Sequence, residues 1–153
     1  MLREEKKNLL SAYVLLLSEV EHIAEQLSRL KIEETLPPQR LGDMTVKSSG
    51  GKDRLERAIL RRIEYEERNM PRLQEAKAKM QRIEDAVYAL RDPLERTVLR
   101  LRYLDCDCSR LTRWHEVAAA IYGDNDEKEL RAVYRLHNRA LDNLAFSDGI
   151  TAR

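Results

Sequence analysis

The sequence has few of the residues that break helices and few that cross-link small folds. Its 153 residues include only five Gly, four Pro, one Phe, one Trp and two Cys. The two cysteines, Cys106 and Cys108, are too few and too close together for a disulfide framework, which fits a reducing compartment. This composition is typical of a soluble, mostly helical protein, and we expect a cytoplasmic location.

The sequence also lacks an excess of charge of one sign and lacks long apolar runs. With 28 basic and 27 acidic residues the formal net charge is +1, so any surface that binds DNA must be local. No apolar run approaches the ~18 residues that a membrane span needs. We see no Ser/His/Asp set, Gly-rich phosphate loop or clustered carboxylate pocket. The sequence therefore predicts a protein that is not an enzyme and holds no cofactor.

Helical periodicity dominates the first 90 residues and predicts an all-α fold. Residues 2–32 and 53–90 indicate two long amphipathic helices, joined by a flexible connector over 33–52 that contains Pro37, Pro38 and several Gly and Ser. We expect the two helices to form a hairpin. Pro71 should kink or restart the second helix. The first helix has a heptad seam, so we also expect a homodimer or a higher homo-oligomer.

Residues 91–146 predict three shorter helices, followed by a frayed tail over 147–153. Asp92-Pro93-Leu94-Glu95 combines an N-cap, an N1 proline and a capping-box acid. Further on, Thr112 should cap a second helix, Gly123 should end it, and Asp126 should open the last one. A Gly turn between the last two helices is typical of a helix-turn-helix.

The last helix carries the candidate binding residues. On a helical wheel one side is apolar, and His137 lies on it as a core residue rather than a catalytic one. The opposite side holds Arg131, Arg135 and Arg139 at steps of four, with no acid between Leu130 and Leu141. A missing counter-charge suggests that a partner supplies it, and DNA phosphate fits. The predicted DNA-binding residues are Lys128, Arg131, Tyr134, Arg135, Asn138 and Arg139.

A zinc site is the other chemistry to weigh, because Cys106 and Cys108 precede His115. The spacing is tighter than the usual Cys-x₂₋₄-Cys pair and a fourth ligand is missing, so we predict no metal. Trp114 is expected to pack across the helix-turn-helix.

From about residue 83 to 144 the chain resembles the C-terminal helix-turn-helix of bacterial sigma factors. The matching residues include Asp92-Pro93-x-Glu95-Arg96-x-Val98-Leu99, Trp114-x-Glu116-Val117-Ala118 and Val133-Tyr134-Arg135-Leu136-His137-Asn138-Arg139-Ala140-Leu141. The tryptophan variant and this ending look most like the RinA-like and ArpU-like late-gene activators of phages and prophages of Gram-positive bacteria. Residues 122–127 form a longer segment than the tight turn of that family.

The resemblance implies a transcriptional regulator in the bacterial host cell that binds a phage promoter and works with host RNA polymerase. It carries DNA contacts onto Arg131, Tyr134 and Arg135. Two alternatives remain open. One is the DNA-recognition small subunit of a packaging terminase, which a ring-sized solution mass would favour. The other is a coiled-coil adaptor that binds no nucleic acid.

Overall fold

The computed structural model describes residues 1–35, 50–107 and 110–147, and all regular secondary structure within these ranges is helical, with no β-strand. The all-α prediction is confirmed. Most of the predicted connector, Cys108 and nearly all of the predicted tail lie outside the described residues. No helix in the described ranges is long and apolar enough to cross a membrane.

Two long helices form the predicted hairpin: α1 spans Arg3–Thr35 and α2 spans Gly50–Tyr88. Three shorter helices follow, α3 at Pro93–Leu99, α4 at Trp114–Tyr122 and α5 at Glu127–Asn143. A single π-helical turn, Arg100–Leu104, continues α3 without a break. Of the predicted kink or restart at Pro71, the restart does not occur, because α2 runs through this proline uninterrupted.

The chain divides into two compact units, of which the larger comprises Met1–Glu19 and Ala76–Arg153. Its core joins the first half of α1 and the end of α2 to the three short helices. Here Tyr13 of α1 donates a hydrogen bond to Glu84 Oε1 of α2 at 2.5 Å. The large side chains with almost no exposed surface are Leu10, Leu99, Leu141, Leu144, Val87, Val98, Val117 and Val133.

The smaller unit, Val20–Glu75, contains the remaining parts of the two long helices. Its buried apolar side chains are Ile23, Ala58 and Leu73. Arg62 of α2 pairs with Glu34 of α1 and with Glu66 one turn further along its own helix. The thin core and the ion pairs match the high proportion of charged residues in this part of the chain.

Local capping explains where the short helices begin and end. Asp92 Oδ1 accepts the N–H of Leu94 at 2.8 Å, as predicted for an N-cap. The prediction of Thr112 as a cap is wrong, since Arg113 is the N-cap residue and α4 begins at Trp114. Gly123 ends α4 with φ 75°, a left-handed conformation that costs glycine little. Asp126 is the N-cap of α5, but its side chain makes no capping hydrogen bond.

Candidate nucleic-acid interface

Helix α5 divides into two faces as the helical wheel predicts. Val133, Leu136, Ala140 and Leu141 are buried against the other short helices, and His137 is buried with them. The opposite face is exposed along its whole length. It carries all six predicted DNA-binding residues: Lys128, Arg131, Tyr134, Arg135, Asn138 and Arg139.

The helix pair that presents this face is held at its turn and through its core. Val117 and Ala118 of α4 are fully buried against α5 and α3, and Gly123 lets the chain reverse. The last helix begins at Glu127, so the wheel's register is correct from Lys128 onward. A short helix, a glycine turn and a longer exposed helix form the predicted helix-turn-helix.

The Arg139 guanidinium is neutralised by carboxylates of its own fold. The prediction that the arginine row has no counter-charge is therefore wrong for this residue. Its Nε donates to Glu95 Oε1 and its Nη2 to Asp92 Oδ2, both at 2.7 Å. The Glu95 side chain is only 3% exposed, and Asn143 Nδ2 lies 3.0 Å from each of its oxygens. The hydrogen bond to Glu95 is the main reason that the pKa of Arg139 is raised. Arg139 therefore joins α5 to α3.

Arg131 also has an acidic partner, although a weaker one. It pairs with Glu127 one turn earlier on α5, and both side chains are more than two-thirds exposed. Exposed pairs at this spacing contribute only about 0.3–0.5 kcal/mol, so a phosphate can displace the carboxylate. Glu127 lies outside the acid-free interval between Leu130 and Leu141, so the sequence pattern does not reveal this pair.

Arg135 has no acidic partner among the described residues, as the sequence predicts. No hydrogen bond or ion pair joins its side chain to any residue of the described ranges, and the same holds for Lys128 and Asn138. Tyr134 lies beside them, 44% exposed, with its ring edge-on to Trp114 at a centroid distance of 5.2 Å. The uncompensated surface is thus centred on Tyr134, Arg135 and Asn138 in the middle of α5.

The start of α5 is acidic, which restricts where a polyanion can approach. Carboxylate oxygens of Asp124, Asp126 and Glu129 lie within 4.8 Å of one another. Repulsion, first of all from Asp124, raises the pKa of Asp126. Acidic side chains at this position are stabilised by the positive end of the helix dipole, but they repel a phosphate group. Of the predicted DNA-binding residues, Lys128 therefore has the least favourable surroundings for a phosphate.

His137 is a core histidine, as predicted. Its Nε2 lies 3.0 Å from the Tyr103 hydroxyl, and its ring meets the edge of Trp114 at 4.7 Å. Burial, followed by the charges of Lys7 and Arg102, lowers its pKa to about 4. Trp114 contacts both Tyr134 and His137, which confirms that it packs across the helix pair.

The N-terminus of α1 holds the C-terminal end of α5 through contacts that the sequence did not reveal. Arg3 makes two 2.5 Å hydrogen bonds to the Asp142 carboxylate, and the pKa of Asp142 is lowered chiefly by them. Lys6 Nζ donates to the Leu141 carbonyl at 2.6 Å. A cation at a helix C-terminus satisfies its last carbonyls and its dipole. Nothing in the spacing of Arg3 and Lys6 signals a partner about 140 residues away.

Two of the three candidate zinc ligands, Cys106 and His115, lie in the described residues, and Cys108 does not. Cys106 Sγ donates to the Tyr103 carbonyl at 3.1 Å, and burial raises the pKa of its thiol. His115 is exposed on α4. Among the described residues, neither belongs to the cluster of possible metal ligands, which consists of Asp124, Asp126 and Glu129.

Comparison with known proteins gives no match: no family model, curated protein or solved structure is significantly similar to this chain.

Proposed function

We propose that this protein is a non-enzymatic, sequence-specific DNA-binding regulator that docks the middle of α5 in the major groove. The observation that carries the proposal is the exposed surface of Tyr134, Arg135 and Asn138 on the second helix of a compact helix pair. The Arg135 side chain has no partner in the described ranges, so binding DNA costs it no existing ion pair. In helix-turn-helix proteins the second helix supplies the base contacts.

The six candidate residues then take different roles. Arg135 has the donor geometry to read a guanine edge, and Tyr134 lies next to it, while Asn138 is assigned to backbone phosphate. Lys128 and Arg131 are assigned to backbone phosphate, with Arg131 exchanging Glu127 for the anion. Arg139 is withdrawn from the interface, because its guanidinium balances the buried Glu95.

The finer assignment rests on the sigma-factor resemblance. We propose a phage or prophage activator of late genes in the bacterial cytoplasm, acting at a promoter with host RNA polymerase. A homodimer would present two copies of α5 to spaced half-sites.

The test compares two arginines one turn apart on α5. Fragments retained by the protein from its own genome at moderate salt define a target, and affinity for it is then titrated. Arg135→Ala should weaken binding by about 1–3 kcal/mol and relax specificity at one position. It should leave the free energy of unfolding within about 0.5 kcal/mol of wild type.

Arg139→Ala is the matched control, with the opposite expected pattern. It should lower the urea midpoint, since Glu95 loses a charged partner, and change the affinity of the folded protein less than Arg135→Ala does. Equal affinities of wild type and Arg135→Ala for every retained fragment would count against the proposal.

One observation favours a coiled-coil adaptor without nucleic-acid binding. Two of the three arginines in the row have carboxylate partners, as on an ordinary stabilised surface. That alternative predicts no retained fragments at moderate salt, and no change in retention on Arg135→Ala.

A further inference from the structure

A groove of about 500 Å³ opens beside the exposed face of α5. It lies wholly within the larger unit, between the first turns of α1, the π-helical turn and the pair α4–α5. Glu4, Lys7 and Asn8 of α1 line one wall, and Trp114, Tyr134 and Asn138 line the other. Two of these residues, Tyr134 and Asn138, also belong to the proposed DNA surface. A ligand lying along α5 therefore continues directly into the groove.

The groove is positively charged. Lys7 and Arg102 are its two cations, and Glu4 is the one acid among its lining residues in the described ranges. The Lys7 ammonium contacts Glu4 Oε1 at 2.7 Å, but Glu4 is 75% exposed, so this pair is weak and open to exchange. An anion entering the groove can replace Glu4 as the partner of Lys7 at little cost in free energy.

Arg102 adds a second reason to expect an anion. Its guanidinium carbon lies 4.4 Å from the centre of the Trp114 ring, and it donates to the Thr112 carbonyl. Its Nε is buried and has no hydrogen-bond partner among the described residues. Arg102 as a whole is half-buried, but a buried, unmet donor on a cation is costly, and a nearby negative charge reduces that cost.

We propose that this groove receives a backbone phosphate of the DNA duplex, bound by Lys7 and Asn8 of α1 together with Asn138 of α5. The N-terminal helix would then be part of the DNA-binding surface and not only a support for it. This inference rests on the proposed function. Phosphate contacts of this kind set the orientation of a protein on DNA without reading its sequence.

The experiment measures affinity against salt concentration for Lys7→Gln and Glu4→Gln on one specific and one unrelated duplex. Each phosphate contact contributes about −0.9 to the slope of log K against log salt. Lys7→Gln should reduce the steepness by about 1 and weaken binding roughly five- to tenfold at 0.1 M salt, equally on both duplexes. Glu4→Gln removes the groove's acid and should tighten binding.

Lys31→Gln is the matched control, because it makes the same charge change on an exposed residue of α1 that does not line the groove. It should match wild type in slope. Identical slopes for Lys7→Gln and wild type would overturn the groove proposal while leaving the α5 interface intact. Absence of DNA binding by wild type would overturn both. If Lys7→Gln melts at a lower temperature than wild type, Glu4→Gln still tests the proposal, because it should change the affinity for DNA in the opposite direction.

Discussion

Glu95 is a buried carboxylate that accepts hydrogen bonds from two side chains of α5, one of them charged. Burying a carboxylate is expensive unless charged and hydrogen-bonding partners come with it. Here Arg139 supplies the charge and Asn143 supplies further donors. The contact fixes the start of α3 against the end of α5. It also removes one arginine from the face that is proposed to meet DNA, so the basic surface is shorter than the sequence suggests.

His137 should make the stability of the fold depend on pH. Its folded pKa of about 4 is below the unfolded value, so between roughly pH 6.5 and 4 only the unfolded chain binds the proton. As the pH falls through this window, the free energy of unfolding should therefore decrease by about 1.4 kcal/mol for each pH unit, from this residue alone. Above pH 6.5 the effect is absent.

The measurement is urea unfolding of wild type and His137→Gln at several pH values from 4 to 7. His137→Gln should be less stable at pH 7, because the packing around Tyr103 is lost, and the gap should narrow as the pH falls. Carboxylates titrate equally in both proteins and cancel in the difference. Parallel curves would contradict the assignment.

At the scale of the element, local patterns predicted the helices and their faces well. The two long helices were expected at 2–32 and 53–90 and are found at Arg3–Thr35 and Gly50–Tyr88. The wheel placed Val133 and Leu136 inward and Arg135 and Asn138 outward, which is confirmed. These features depend on neighbours three or four residues away, so the sequence contains them directly.

Contacts between distant elements could not be predicted in the same way. Glu95 fits a capping box, but its carboxylate binds Arg139, 44 residues along the chain. The pairing of Arg3 with Asp142 spans 139 residues. Periodicity reports which face of a helix is polar, and says nothing about which other element meets that face. For this reason the sequence predicted the exposed polar face of α5 correctly and overestimated its free charge.

Pro71 is an exposed proline inside an uninterrupted helix, and replacing it should stabilise the protein. Proline has no N–H to donate to the carbonyl of Glu67, and its ring crowds that carbonyl. Pro71→Ala should raise the free energy of unfolding by up to about 3 kcal/mol, measured by urea denaturation. Gln74→Ala, at an exposed position on the same helix, should change it by less than about 0.5 kcal/mol. A neutral or destabilising Pro71→Ala would mean that α2 has adapted its backbone to the ring.

At the scale of the whole molecule, a net charge of +1 leaves little long-range attraction to DNA. A single short basic surface on such a chain gives modest affinity, which two linked copies would multiply. The smaller unit offers apolar surface for such a link, since Leu60 is 56% and Ile32 55% exposed. Isolated exposed leucines are common, but several on one helical unit favour self-association.

We therefore expect a homodimer that depends on this surface. Leu60→Glu should halve the mass measured by light scattering at micromolar concentration, while the circular dichroism of the helices stays similar. Gln74→Glu adds the same charge at an exposed polar position of α2 and should leave the mass unchanged. The monomeric variant should also lose most of its affinity for a duplex with two half-sites and keep its affinity for one half-site. A monomeric wild type would refute the dimer, and a dimeric Leu60→Glu would place the interface elsewhere on the chain.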